Sequence, residues 1–169
     1  VKEFLKDPNK NYFKIHYNGK RLNAGNDWFK ARNVIRIFYN GILAELIKLL
    51  PDFFLKRILI WMMGVKVGKN CKIGKGVLFD HLYGDLVTLE DNVTLEKNVY
   101  FDAHEYTVAQ TVFGKTLVKQ GAHVKENTFI RCGSIIGENT IVEANSFVQK
   151  VLPDNTTCGG NPAKPLKDD

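Results

Sequence analysis

A solenoid of short parallel strands, a β-helix, is the fold class this sequence predicts, and three observations predict it. Aliphatic residues recur at every sixth position, at Val118, Val124, Ile130, Ile136, Val142 and Val148. A small side chain stands two residues before each, at Thr116, Ala122, Thr128, Ser134, Thr140 and Ser146. Three residues after the first five stands Gly or Asn, at Gly121, Asn127, Gly133, Asn139 and Asn145. Residues two apart in a strand share a face, so each aliphatic and its small partner point inward together. Gly and Asn tolerate the left-handed backbone that a tight corner requires. Repeats of this period bury their faces only against the rungs above and below them.

The same phase extends upstream. Val67 and Ile73 precede Asn70 and Gly76, Leu89 and Leu95 precede Asn92 and Asn98, and Phe79 and Phe101 are aromatic members of the set, which makes twelve rungs. Two breaks interrupt them. Ten residues separate Phe79 from Leu89, so Asp80 to Leu86 must hold a small bulge. Seventeen separate Phe101 from Val118, which inserts an external loop from Asp102 to about Lys115 with His104 at its root. Insertions into repeat arrays map to one face, often the binding face.

Residues 1–64 differ in kind and are expected to cap the solenoid formed by residues 65–169 and its C-terminal tail. Val1 to Asn26 reads as polar and irregular, without the apolar core of a signal peptide. A helix is expected from Asp27, its cap, through Trp28, Ile35, Phe38, Ile42, Leu46 and Leu49, stopped by Pro51. A second runs from about Asp52 to Gly64. The longest uncharged run, Ile58 to Val65, is far short of the roughly 20 residues that span a bilayer. Lys30, Arg32, Arg36, Lys48, Lys56, Arg57 and Lys66 outnumber Asp27, Glu45 and Asp52 here. The helices therefore read as a cover for exposed strand edges, as a weak peripheral contact with anionic membrane, or as both.

Length and 44% hydrophobic content fit one ordinary folded unit. Three scattered cysteines, Cys71, Cys132 and Cys158, give neither a disulfide framework nor a zinc spacing, so a reducing, cytoplasmic setting is expected. The net charge of +6 is spread along the chain without a stacking motif, which argues against nucleic acid as a partner.

Several stretches, Val65-Lys-Val-Gly-Lys-Asn70, Val87-Thr-Leu-Glu-Asp-Asn92, the His104-Glu-Tyr-Thr segment, Val142-Glu-Ala-Asn-Ser146 and Gly160-Asn-Pro-Ala-Lys-Pro165, resemble the hexapeptide-repeat acetyltransferases. The similarity is greatest to the galactoside, maltose and exopolysaccharide O-acetyltransferases. It implies a left-handed β-helix, a homotrimer, and acetyl-CoA bound in the cleft between subunits, with no metal. It implies His104 as the general base that takes a proton from an acceptor hydroxyl, with Asp102, Glu105 or a backbone carbonyl to orient it. Ala144 matches a small position on the face along which the thin pantetheine arm lies, and Gly159 and Gly160 either let the backbone approach the ligand or make the turn that leaves the solenoid. Lys150, Lys164 and Lys167 match basic positions near the nucleotide end of CoA. Phe79-Asp-His-Leu-Tyr83 resembles a segment of the glycan-modifying relatives, so Asp80, His81 and Tyr83 join Asp102 as acceptor-side candidates. Asp80 serves equally well as a turn cap.

Departures are His123, Lys125, Glu126 and Arg131, where relatives carry an aromatic or small residues. The expected activity is acetyl-CoA-dependent O-acetylation of a sugar or glycan hydroxyl, at the inner face of the cell membrane if the helices touch lipid. The rivals are a zinc lyase like the gamma-type carbonic anhydrases, drawing on His81, His104 and His123, and a non-catalytic trimeric scaffold.

Overall fold

From Val118 to Val148 the six-residue pattern takes its expected place, and upstream only Val67 of its inward residues is less than fully buried. In the computed structural model, which describes residues 2–7, 10–16, 32–107 and 110–166, the six aliphatics from Val118 to Val148 and the six small residues before them are all buried. Asn70, Asn92, Asn98, Asn127, Asn139, Asn145 and Asn155 have φ between 51° and 60°, and Gly76, Gly121 and Gly133 between 70° and 77°. The corner asparagines also bond to one another along the solenoid. Asn98 Nδ2 donates to Asn127 Oδ1 at 3.1 Å, and Asn139 Nδ2 to Asn155 Oδ1 at 3.2 Å. Asn thus combines tolerance of positive φ with an amide that links successive turns.

The rungs are single strands, or at Phe79 an isolated bridge from Leu78 to Tyr100, rather than whole turns of the coil, which corrects the picture of rungs stacked one on the next. Leu117 pairs with Ile135, His123 with Ile141 and Phe129 with Phe147, each in parallel and each eighteen residues apart in number. Three hexads therefore make one turn and three flat parallel sheets result, two of them extended by short strands through Val151–Leu152 and Thr157–Gly160.

The first turn is closed by two helices, Val34–Leu49 and Phe54–Met63. Asn33 caps the longer one, its Oδ1 accepting from the N–H groups of Ile35 at 2.9 Å and Arg36 at 3.4 Å, and Asp27 and Trp28 lie outside the described residues. Gly64, at φ 93°, closes the shorter helix. Lys56 joins helices to coil. It is buried, and its Nζ donates to Leu50 O at 3.2 Å, Ile73 O at 3.0 Å and Gly74 O at 2.6 Å. Leu43, Ile47, Ile60 and Met63 share one apolar core with the solenoid interior. Among the described residues, no helix is long and apolar enough to cross a membrane.

Two expectations are corrected together. The segment before Asn26 is not irregular throughout, since it contains a helix, Lys2–Lys6, and a strand, Tyr12–His16. The insertion after Phe101 is not an open loop but a hairpin of His104–Tyr106 and Gln110–Gly114. Tyr12 pairs with Gly114 and His16 with Gln110, so the N-terminal strand completes a three-stranded antiparallel sheet. The strand Tyr12–His16 has no pairing partner in its own neighbourhood of the sequence, whereas the two strands of the insertion pair with each other. Phe13 packs between Phe4, at 5.7 Å, and Phe113, at 6.1 Å.

Candidate active site

Both breaks in the repeat leave the solenoid at the same corner, and that coincidence builds the site. Phe79 and Phe101 stack inside it with ring centroids 5.1 Å apart. Past Phe79 the chain turns on Asp80, whose Oδ1 accepts from the N–H groups of Leu82 at 2.8 Å and Tyr83 at 3.0 Å. One turn of the coil later, Ala103 N donates to Asp80 Oδ2 at 2.9 Å. The same oxygen receives Nδ1–H of His104. Asp102 Oδ1 lies 3.7 Å from that nitrogen and accepts from the His104 backbone N–H at 3.4 Å.

The imidazole is enclosed without being sealed, with a side chain 13% exposed. Tyr83 and Tyr106 meet it edge to face at 5.3 Å and 5.0 Å. Burial works against the charged ring, but the hydrogen bond and charge of Asp80, helped by Asp102, raise the His104 pKa above its ordinary value. Burial likewise works against the Asp80 carboxylate; His104 and the backbone N–H groups of Ala103 and Tyr83 outweigh it and hold its pKa low. Asp102 is pushed up, chiefly by burial. With Nδ1–H directed at Asp80, Nε2 is the nitrogen left to accept a proton.

Asp80 is therefore both the turn cap and the partner of His104. It is 2% exposed and its oxygens are engaged, so it stands behind the imidazole rather than on an acceptor wall. Tyr83 is also buried, against Phe113 at 4.8 Å. His81 is exposed and lies beside the long helix, in a groove with Phe38 and Ile42. Asp102 alone of the acceptor-side candidates is half-exposed beside His104.

The donor-side candidates divide. Gly160 N donates to Ser146 Oγ at 3.2 Å, which sets the tail against the Glu143–Ser146 corner that includes half-buried Ala144, and Lys164 pairs with Gly159 in that tail. A Cβ on Gly159 would meet Glu143 Cβ at 3.1 Å. Lys150 is exposed at the corner following Phe147–Val148, a strand of the sheet that also leads to His104. Lys167 lies outside the described residues.

The three histidines of the zinc reading are not brought together. His123 Nε2 lies 2.7 Å from Glu96 Oε1 on another sheet, and His81 stands by the helix. Among the described residues, Asp80, Asp102 and His104 are the one group whose ligand atoms converge, within 4.8 Å. Its tightest member, Asp80, already accepts three backbone N–H groups and the ring.

The departures from the repeat are paired charges between turns. Lys125 Nζ meets the Glu143 oxygens at 2.7 Å and 2.8 Å, and Arg131 pairs with Glu105 of the hairpin. Sequence reasoning missed a cleft of about 290 Å³ behind that pair, lined in part by Tyr12, Lys14, Gln110 and Gln149. Nothing local marks Tyr12 and Lys14, which reach the cleft only through strand pairing with a segment about 100 residues away.

Comparison with known proteins agrees with this architecture. Residues 60–79 match a family model described as a hexapeptide repeat of succinyl-transferase. A Bacillus subtilis protein, YvoF, named as a candidate acetyltransferase, is 28% identical over 131 residues, covering 77% of this chain and 76% of its own. The fold matches the hexapeptide-repeat acetyltransferase VCA0836 of Vibrio cholerae, solved with acetyl-CoA, with a TM-score of 0.67 at 19% identity, over 88% of this chain and 93% of that one. It also matches a maltose O-acetyltransferase of Clostridium difficile, with a TM-score of 0.62 at 22% identity, over 88% and 92%. The chain is built of six-residue repeats, and these proteins that it resembles in sequence or in fold are named as acetyltransferases.

Proposed function

We propose that the protein transfers an acetyl group from acetyl-CoA to a hydroxyl of a sugar or glycan, with His104 as general base. The observation that carries this reading is the hydrogen bond from His104 Nδ1–H to buried Asp80, which leaves Nε2 as a proton acceptor at the edge of the site. Acetyl-CoA supplies a thioester whose carbonyl carbon accepts the hydroxyl oxygen as the carbon–sulfur bond breaks. His104 Nε2 takes the hydroxyl proton as the new bond forms and returns it to the departing sulfur, so the imidazole ends as it began. The Asp80 carboxylate fixes the tautomer and steadies the transient imidazolium. Asp102, beside it, is the acceptor-side group.

The donor side fits a thin chain ending in phosphates. Ala144, Gly159 and Gly160 leave the Glu143–Ser146 corner shallow, and among the described residues neither Lys150 nor Lys164 has a carboxylate partner. The homotrimer, the left-handed sense of the coil and a reducing compartment belong to the same proposal. Half-buried Tyr100, Phe129 and Phe147, their tilted rings 5.0 Å and 5.5 Å apart along one outer sheet, offer a face for a second copy, and the three cysteines are free and buried.

The test is His104→Ala assayed for thiol release from acetyl-CoA over a panel of hydroxylated acceptors. Turnover should fall roughly a hundredfold to ten-thousandfold while CoA affinity, read by calorimetry, stays put. A folded variant that acetylates at the parent rate would falsify the assignment.

A further inference from the structure

We propose that the outer face of the helical cap, with the lysines around it, docks the protein on an anionic lipid bilayer. Both helices are apolar on two sides. Leu43, Ala44 and Ile47 of the long helix and Ile60 and Met63 of the short one are used in the core. The opposite stripes face outward, with Ile35 79% exposed, Trp61 74%, Phe54 73% and Phe38 63%. An open groove of about 520 Å³ runs along the long helix between Phe38, Ile42, Leu46 and Leu49. Folding of a single chain gains nothing from such a stripe, and contiguous apolar surface of this kind marks a contact.

Charge identifies the partner. Residues 32–79 carry nine Lys and Arg against Glu45 and Asp52, an excess of seven, which is larger than the whole chain's +6. No carboxylate occurs between Phe53 and Phe79. Lys66, Lys69, Lys72 and Lys75 are exposed around the first turn of the coil, and among the described residues none of their ammonium groups pairs with a carboxylate, although the Lys69 backbone N–H donates to Asp91 Oδ1 at 2.7 Å. That turn is tied to the helices, for Gly76 N donates to Lys48 O at 3.1 Å and Lys56 Nζ to Gly74 O. The result is an aromatic and aliphatic face rimmed by cations, the arrangement that seats in the headgroup region of acidic lipid. A second copy placed on the same face would set two strongly positive rims against each other.

The inference stands apart from the acetyl-transfer chemistry. Its test uses the full chain and sedimentation with vesicles of phosphatidylcholine alone or mixed equally with phosphatidylglycerol. Binding is expected to the mixed vesicles only, and to weaken with added salt. Each lysine near the surface is worth about fivefold in affinity, so Lys69→Glu with Lys72→Glu should weaken binding at least twenty-five-fold or so. Phe54→Ser with Trp61→Ser, both at exposed positions, should weaken it too. In a Trp28→Phe background, Trp61 is the remaining tryptophan, and its emission should shift to the blue on the mixed vesicles. Equal binding to both compositions, or no binding and no shift by a folded chain, overturns the proposal. So does a fall in assembly mass on Phe38→Ser with Trp61→Ser, which would give this face to a second copy.

Discussion

Asp80 does at the residue scale what neither break in the repeat does alone, holding a turn with one oxygen and the His104 ring with the other. Both residues were legible as candidates, His104 at the root of an insertion and Asp80 in the first break. Their partnership was not, because it depends on Ala103 lying one turn of the coil above Asp80, a register that spacing within each break does not contain. The pairing has a kinetic consequence. Only the neutral ring accepts a proton, and Asp80 raises the His104 pKa, so the rate should rise with pH through a single ionisation above the ordinary 6.5. Replacing Asp80 with Asn removes that charge and leaves burial opposed by Asp102 alone, so the midpoint should move below that of the parent and the maximal rate should fall about a hundredfold. A pH profile of kcat/KM for both proteins checks this, and an unmoved midpoint would detach Asp80 from the chemistry. The pair titrates as a unit, so the midpoint belongs to both groups.

At the scale of elements, the hairpin that bears His104 depends on close approach of two backbones. A Cβ on Gly114 would lie 2.7 Å from the Cys132 carbonyl carbon and would meet the Gly133 backbone, which cannot step aside as a side chain can. Gly114→Ala should therefore cost about 1–3 kcal/mol and displace Phe113, the register partner of His104. A lowered melting temperature together with reduced turnover is the expected result, and a variant as stable as the parent would show that the hairpin is free to shift. Gly41 is the contrasting case. It lies within the long helix, where an added methyl would meet nothing within 4 Å, so Gly41→Ala should stabilise by about 0.5–1 kcal/mol, read from the denaturant midpoint. The elements themselves were readable to different depths. Solenoid strands declare themselves because each hexad repeats the same inward pair and corner. The strand Tyr12–His16 does not, because its pattern acquires meaning only beside Gln110–Gly114.

Over the whole molecule, one buried ammonium joins the two halves. Lys56 is held by three carbonyls, and burial lowers its pKa, so its charge is retained at a cost that only those bonds offset. Lys56→Met would leave the carbonyls of Leu50, Ile73 and Gly74 without this donor. A loss of about 2–4 kcal/mol is expected in urea unfolding, and a negligible change would mean that apolar packing alone seats the cap. Assembly is tested at the same scale: sedimentation equilibrium should return three times the chain mass, and a monomer at micromolar concentration would remove the intersubunit cleft from the proposed mechanism. The sequence by itself determined the coil, its inward residues and its left-handed corners, because a six-residue period writes the same local demand again and again. Tertiary structure decided that three hexads close one turn, that the N-terminal strand and the insertion share a sheet, and that Asp80 rather than Asp102 holds the ring of His104. Those outcomes depend on contacts between segments tens of residues apart, and the energy that selects them is absent from any single segment.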